Sequence, residues 1–259
     1  MRNWLVVCVW LSAAGPSISS GSDFDYDRAL ATSQAAIGQP LGDYRFTAST
    51  GESLSLEQLR GKPLVLSLVY TSCYQICPMT TRYLAGVIEK ARETLGEDSF
   101  NVAVIGFDTP VDTPAAMAHF GRQQGVGDAG WYLLSGAQTS VDAVARDTGF
   151  LYKPAAHGYD HLIQATVVDA DGVVYRQVYG QVFETPLLAD PLIELVLGRS
   201  SPDRPALDNL IAKIKLFCTT YNPATDGYYF DYSLFVGMFI GLGIILITGN
   251  FVLRSWFRH

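Results

Sequence analysis

The sequence predicts an α/β fold whose sheet is partly parallel and partly antiparallel. Residues 63–70 and 101–107 are apolar runs with the length of strands buried on both faces. A segment with helical spacing follows each run, as expected for parallel strands joined by crossover helices. Residues 164–169 and 173–179 flank a strong turn signal, Ala170-Asp171-Gly172, and predict a final antiparallel hairpin.

The remaining elements follow from shorter patterns. Two alternating runs around Thr50-Gly51 predict an N-terminal β-hairpin within residues 44–59. Residues 131–134 predict a short strand, and helical spacing predicts helices over residues 78–96, 115–124, 140–149 and 185–197. Thr113 precedes the second of these helices as a candidate cap, with Pro114 in its first turn. This order of elements matches a thioredoxin-like core with an added N-terminal hairpin.

Composition limits the possible functions. The chain has 259 residues, of which 49% are hydrophobic and 17% are charged, enough for one globular domain with accessory segments. The formal net charge is −7, and no cluster of Lys and Arg interrupts the body of the chain. Because phosphate binding needs a basic surface, we expect no nucleic-acid partner.

The N-terminus has the pattern of a secretory signal peptide. A positive start is followed by an apolar run and then small residues, which predicts a signal over residues 1–20 and a polar spacer, with a short helix at most, over residues 21–42. Cys8 would leave with the signal. The main alternative is an uncleaved N-terminal anchor.

The C-terminus predicts a membrane anchor. Residues 233–253 carry no charge, and 21 helical residues span roughly 30 Å, the thickness of a hydrocarbon core. The tail, residues 254–259, is basic and is therefore expected to be cytoplasmic. Residues 43–198 would then form a domain on the outer, periplasmic side of a bacterial inner membrane, with residues 199–232 as a juxtamembrane connector. Gly237 and Gly241 form a small-xxx-small pair on which a second helix could pack as a dimer.

Two cysteines mark the candidate site. Cys73 and Cys77 follow the first buried run, and at spacing i, i+4 both sulfurs would share one face of a helix that began near Cys73. The field at a helix N-terminus favours thiolate. Such a pair can share a soft metal ion, above all Cu(I), or close a disulfide.

An imidazole would complete a copper site. His161 lies directly before the predicted strand 164–169, which should neighbour the cysteine strand in this fold. His157 lies four residues earlier in a loop, and His119 lies within a helix. Position favours His161 over the other two.

These residues together resemble a known family. The pattern comprises Cys73-xxx-Cys77-Pro78, Asp108 with Asp112-Thr113-Pro114, Asp160-His161 before a strand, and Asp169 to Gly172 after it. It resembles the Sco/SenC family of membrane-anchored copper proteins from about Phe46 to Leu197.

The resemblance implies a function and a set of site residues. It implies that Cys73, Cys77 and His161 bind one copper ion per chain, as Cu(I), Cu(II) or both. It also implies delivery of copper from an upstream donor to the dinuclear copper centre of cytochrome c oxidase. Asp108 and Asp160 match acidic positions of the motif and would support the ligands.

Two features depart from the family pattern. Tyr74 stands where many members have proline after the first cysteine, which puts the rigidity and redox behaviour of the site in doubt. The predicted anchor is C-terminal, whereas many members have an N-terminal one.

Other functions are consistent with the same residues. Cys73 and Cys77 could act as nucleophile and resolving thiol of a thiol-disulfide oxidoreductase that keeps oxidase cysteines reduced. A structural disulfide, a zinc site or a partner-docking groove around Tyr74 and Tyr159 are further alternatives. Cys218 is left outside the predicted site.

Overall fold

The computed structural model describes residues 24–127, 129–198, 211, 214–215 and 219–256. The predicted signal peptide, Cys218 and His259 lie outside these residues, as does most of the connector before residue 219.

A seven-stranded sheet forms the centre of the fold, and its strands have the order β2-β1-β5-β4-β3-β8-β9. A separate two-stranded hairpin, β6-β7, stands beside it. In chain order the strands are β1 (Arg45–Ala48), β2 (Ser53–Ser55), β3 (Leu64–Val69), β4 (Asn101–Gly106), β5 (Trp131–Ser135), β6 (Tyr152–Ala155), β7 (Gly158–His161), β8 (Gln164–Val168) and β9 (Val174–Tyr179).

Strand β3 connects the parallel and antiparallel parts of the sheet. It pairs parallel with β4, where Leu64 faces Asn101, and antiparallel with β8, where Leu64 faces Val168. All six residues of β3 are buried. The mixed sheet predicted from the apolar runs is therefore confirmed, and β8 is the neighbour of the cysteine strand.

Helices cover both faces of the sheet. They are α1 (Tyr26–Ala35), α2 (Ile76–Leu95), α3 (Pro114–Gln124), α4 (Gln138–Asp147) and α5 (Thr185–Leu197), with one turn of 3-10 helix at Leu56–Leu59. Side chains of α2 and α5 pack with Val65 on one face, whereas side chains of α3 and α4 pack with Leu66 on the other. This three-layer arrangement is that of a thioredoxin-like α/β fold.

Strands β1 and β2 pair antiparallel, with Phe46 opposite Leu54. Strand β1 also pairs with β5, so this hairpin extends the main sheet at its β5 side. Phe46 is buried and joins the core formed by α3 and α4.

Helix α1 is more than the polar spacer predicted for residues 21–42. Asp25 caps it by accepting a hydrogen bond from the backbone N–H of Arg28 (2.9 Å). Its buried residues are Ala29 and Ser33, and the Ser33 hydroxyl accepts a hydrogen bond from the Tyr179 hydroxyl (3.0 Å). Because the buried face consists of small residues, the sequence has almost no apolar stripe to reveal the helix.

A further hairpin lies after α5 and was not predicted. Strands β10 (Thr219–Asn222) and β11 (Gly227–Phe230) pair antiparallel in the segment interpreted as a connector. Asp226 in its turn forms an ion pair with Lys90 of α2, and the Tyr228 hydroxyl donates to Asp190 of α5. These contacts place the hairpin against the α2-α5 layer.

The last helix, α6 (Ser233–Trp256), covers the segment predicted to span a membrane. Nine of its described apolar side chains are exposed, from Val236 to Ile247. In the described part of the chain, no helix is both long and apolar enough to qualify as a membrane span. The predicted transmembrane helix therefore stays a prediction.

Two glycines provide a test of how α1 is held. Gly149 (φ +65°) and Gly125 (φ +71°) both adopt the left-handed conformation after a helix. A Cβ on Gly149 would lie 2.5 Å from the carbonyl oxygen of Thr32 in α1, whereas a Cβ on Gly125 would meet nothing within 4 Å. Gly125→Ala should cost about 1 kcal/mol for its conformation. Gly149→Ala should cost about 1–3 kcal/mol more, because it overpacks against α1.

Denaturant unfolding of the two variants measures this difference directly. Equal losses of stability would contradict the close docking of α1.

Candidate metal-binding site

The cysteine arm runs from the end of β3 into α2. The sequence suggested a helix beginning near Cys73, but α2 begins at Ile76, so the expectation that both cysteines share its first turn is wrong. Cys73 instead precedes the helix, and its sulfur accepts a hydrogen bond from the Cys77 backbone N–H (3.3 Å). That bond satisfies one of the unpaired N–H groups of the first turn. Pro78 fits there because it needs no donor.

The two thiols differ in environment. Burial raises the pKa of Cys77, whose side chain is only 4% exposed, and the neighbouring Cys73 raises it further. Burial also tends to raise the pKa of Cys73, but hydrogen bonds from the Cys77 backbone and thiol, the Gln75 backbone and the Tyr70 hydroxyl outweigh it. The pKa of Cys73 is therefore lowered. Cys73 is thus the more accessible and more acidic thiol of the pair, and Cys77 is the buried one.

The histidine arm is the β6-β7 hairpin. His161 ends β7 opposite Tyr152, so it lies shortly before β8, on a strand of a hairpin that the sequence did not predict. Its Nδ1 lies 2.7 Å from the carbonyl oxygen of Leu162. Because a carbonyl only accepts, Nδ1 carries the proton and Nε2 keeps a free lone pair. Burial lowers the pKa of His161, which favours the neutral ring that a metal requires.

Both arms open into one cavity of about 350 Å³. Its wall includes Tyr70, Cys73, Ile76, Tyr159, Asp160 and His161. Cys77 lies behind Cys73, and its backbone N–H is within hydrogen-bonding distance of the Cys73 sulfur. In the described ranges, no three His, Cys, Asp or Glu side chains lie close enough together to form a ready metal cluster. The ligand set proposed from the sequence is thus brought to one cavity but is not assembled for coordination.

The other predicted residues have distinct positions. Asp160 lines the cavity, and Asp108 accepts a hydrogen bond from the Tyr159 hydroxyl (3.1 Å). His119 and His157 are exposed on the surface. Tyr74 is 97% exposed and projects from the loop between the two cysteines.

Tyr70 is a site residue that the sequence analysis missed. Its hydroxyl donates to the Cys73 sulfur and accepts from the backbone N–H of Tyr159. Gly158 (φ +117°) permits this approach, because a Cβ there would lie 2.6 Å from the Tyr70 hydroxyl. Burial, with the nearby thiols, raises the pKa of Tyr70 to about 12, so it remains a hydrogen-bond donor. Its position three residues before Cys73 was the available signal.

Asp112 was also missed as a site residue, although it belongs to the quoted motif. Its buried carboxylate accepts hydrogen bonds from the Thr71 backbone N–H and hydroxyl, both at 2.7 Å. It therefore holds the loop that leads to Cys73. In the sequence, Asp112 followed by Thr-Pro predicts only the N-cap of α3. Thr113 fills that role, because its hydroxyl accepts a hydrogen bond from the Ala116 backbone N–H (3.2 Å).

The donor set fits a soft cation. A thiolate, a second thiol and a neutral imidazole are the ligand types that bind copper, whereas Ca²⁺ and Mg²⁺ prefer oxygen. The cysteines are free thiols in this structure rather than a structural disulfide.

Comparison with known proteins agrees with these features. A family model described as SCO1/SenC matches residues 32–193. The SCO1 protein homolog of Bacillus subtilis (strain 168) is 26% identical over 149 residues, which are 55% of this chain and 75% of that protein.

Two solved structures share the fold. The crystal structure of Arabidopsis thaliana ScoI with copper bound has a TM-score of 0.54 and 21% identity, and the match covers 61% of this chain and 98% of that one. BsSco is described as having a disulfide switch and as belonging to the Sco family of cytochrome c oxidase assembly proteins. Its structure has a TM-score of 0.52 and 21% identity, with 60% of this chain and 90% of that one covered.

The family match spans more than half of the chain and includes the cysteine arm, Asp108, Asp112 and the histidine hairpin. This chain therefore belongs to the SCO1/SenC family.

Proposed function

We propose that this protein is a copper metallochaperone that supplies copper during assembly of cytochrome c oxidase. The observation that carries the proposal is that Cys73 and His161, both with lowered pKa values, line one cavity, with Cys77 behind Cys73. The descriptions of two structural relatives, one with copper bound and one from an oxidase assembly family, support it.

Copper is the cargo in this proposal, at one ion per chain. Cys73 and Cys77 supply sulfur for Cu(I), and Nε2 of His161 adds the harder donor that Cu(II) favours. Cys77 must lose its proton on loading, since only thiolate binds metal strongly. Because the three side chains are not clustered in the described residues, binding must draw the two arms together.

The client in this proposal is the oxidase subunit that holds the dinuclear copper centre, and an upstream carrier is the donor. Tyr74 supports contact with a partner at this place, because an almost fully exposed aromatic side chain between the two cysteines offers apolar surface beside the cargo. Asp108 and Asp160 support the ligands from their positions around the cavity.

A second function is favoured by the unequal thiols. An accessible Cys73 with a lowered pKa beside a buried Cys77 with a raised pKa is the arrangement of a nucleophile and a resolving thiol. Cys73 would attack a client disulfide and release one client thiolate, and Cys77 would then displace the second. The client gains two electrons, the pair becomes a disulfide, and an external dithiol reductant must restore it.

The location of the domain is a further part of the proposal. We infer that residues 233–253 anchor the domain in a bacterial inner membrane, with the domain on the periplasmic side and the tail in the cytoplasm. The uncharged segment, the basic residues after it and the exposed apolar side chains of α6 support this placement. Pairing of two such helices through Gly237 and Gly241 belongs to the same proposal.

The first test of the proposed function is metal binding. The reduced full chain should bind about one Cu(I) anaerobically, as expected for a thiolate-rich site. Cys73→Ser and Cys77→Ser should each reduce affinity by more than the roughly 10–100-fold that loss of a supporting hydrogen bond costs. His161→Ala should chiefly weaken Cu(II) binding and shift its thiolate charge-transfer absorption.

His119→Ala and His157→Ala are matched controls, because both imidazoles are exposed and neither lines the cavity. The assigned site would be wrong if His161→Ala resembled these controls in stoichiometry, affinity and Cu(II) spectrum.

The second test separates the chaperone from the reductase. Copper-loaded protein and metal-free reduced protein are each mixed with an oxidase copper-centre fragment, and copper transfer and thiol formation are measured in parallel. The chaperone predicts that wild type transfers copper and that Cys77→Ser does not, because a thiolate ligand is lost. The reductase predicts that Cys77→Ser instead accumulates a mixed disulfide with the client.

Failure of wild type to transfer copper while it reduces the fragment normally would overturn the chaperone proposal in favour of the second function.

The third test concerns the anchor. After lysis and an alkaline wash, the full chain should remain with the membrane fraction, whereas a chain that ends at residue 232 should be soluble, because it lacks the apolar segment. Removal of the full chain by the wash would contradict a spanning anchor.

A further inference from the structure

A continuous chain of hydrogen bonds joins the two arms of the site. It begins at the cysteine loop, where Thr71 donates its backbone N–H and its hydroxyl to Oδ1 of Asp112, both at 2.7 Å. The other oxygen, Oδ2, accepts the backbone N–H of Asp108 at 2.8 Å. One carboxylate oxygen of Asp112 thus holds the cysteine loop, and the other holds the Asp108 backbone at the start of its own loop.

The series of hydrogen bonds continues to the histidine arm. Oδ1 of Asp108 accepts the Tyr159 hydroxyl at 3.1 Å, and Tyr159 lies two residues before His161 on β7. The β6-β7 hairpin makes no strand pairing with the main sheet in the described residues, so side-chain contacts of this kind determine where it lies.

The surrounding structure is built to hold Asp112. Its side chain is only 1% exposed. A Cβ on Gly106, the last residue of β4, would lie 2.4 Å from the Asp112 Cβ, so the glycine makes the room in which the carboxylate sits. Burying a carboxylate is costly unless its oxygens are hydrogen-bonded, and here three donors compensate.

We propose that Asp112 is a positioning residue of the copper site, and that the Thr71–Asp112–Asp108–Tyr159 chain sets the distance between the thiol pair and His161. The part of this inference that concerns copper rests on the proposed function. The geometry of the hydrogen-bonded series in the metal-free protein does not depend on the proposed function.

The variants follow from the chemistry of the carboxylate. Asp112→Asn keeps the shape, but its amide nitrogen cannot accept, so one of the two segments loses its partner. Tyr159→Phe removes only the hydroxyl that donates to Asp108. Asp169→Asn is the matched control, because Asp169 accepts two backbone N–H groups (2.9 Å each) in the β8-β9 turn, at the end of β8 away from the site.

The copper measurement uses the full chain loaded with Cu(II). Asp112→Asn and Tyr159→Phe should each lower Cu(II) affinity by about tenfold and shift the thiolate absorption band, while Cu(I) stoichiometry stays near one. The double variant should be no weaker than the stronger single variant, because both cut the same chain. Asp169→Asn should leave the spectrum unchanged. Fully additive losses, or a spectrum indifferent to Asp112→Asn, would overturn the proposal.

A metal-free measurement separates this inference from the proposed function. In the reduced full chain without metal, Asp112→Asn should speed amide hydrogen exchange of β7, residues 158–161, by about tenfold, the effect of losing one hydrogen bond. Asp169→Asn should speed exchange only in its own turn. If wild type binds no copper, the proposed function fails, but faster β7 exchange in Asp112→Asn would still support the hydrogen-bonded chain.

Unchanged β7 exchange in Asp112→Asn would overturn the inference whether or not copper binds. Should Asp112→Asn not fold, Thr71→Val replaces it with the same expectations, since it removes one of the donors to Asp112.

Discussion

The pairing of β3 with two neighbours of opposite direction is the constraint on which the site depends. Because β4 runs parallel to β3, its end brings the Asp108 and Asp112 segment to the edge where the cysteine loop leaves β3. Because β8 runs antiparallel to β3, the hairpin that precedes β8 arrives at this same edge. Backbone pairing thus brings three segments that are far apart in sequence to one edge, and side-chain contacts then determine where the β6-β7 hairpin lies there.

Some of the local contacts hold the cysteine loop in place, and others change the pKa values of the two thiols. Asp112 holds the cysteine loop with two hydrogen bonds from Thr71 and the Asp108 backbone with a third, while Tyr70 bonds the Cys73 sulfur with its hydroxyl. Hydrogen bonds to its sulfur lower the pKa of Cys73, whereas burial raises the pKa of Cys77. The two sulfurs differ because one lies at the open cavity and the other under the first turn of α2, not because the residues differ.

The sequence predicted the parts of the fold that rest on strong periodic patterns. The buried strands, the helix at Thr185–Leu197 and the neighbouring positions of the cysteine and histidine segments follow from apolar runs and turn signals. Helix α1 is the short helix that the sequence allowed within the spacer, but its docking was not predicted because it buries only small residues. The hairpin β6-β7 was missed because tertiary contacts with aromatic rings, rather than an alternating pattern, hold it.

The site was predicted at the level of residue types but not of geometry. The two cysteines and the histidine are visible in the sequence itself. The start of α2 at Ile76 is not, because it depends on how Asp112 holds the loop before the helix. Tyr70 acts on Tyr159, and Asp112 acts on Thr71, which are partners distant in sequence. No local pattern encodes such partners, so spacing alone cannot reveal them.

For a carrier of copper, ligands that are near but not gathered have a physical advantage. Drawing the hairpin toward the thiols costs free energy. This cost lowers the affinity for copper, because binding must first populate the closed arrangement. A client whose ligands are already in place does not bear this cost and can therefore accept the ion. In the proposed carrier, the hydrogen-bonded chain through Asp112 would limit how far the arms separate, and so would keep that cost small enough for the ion to be held before transfer.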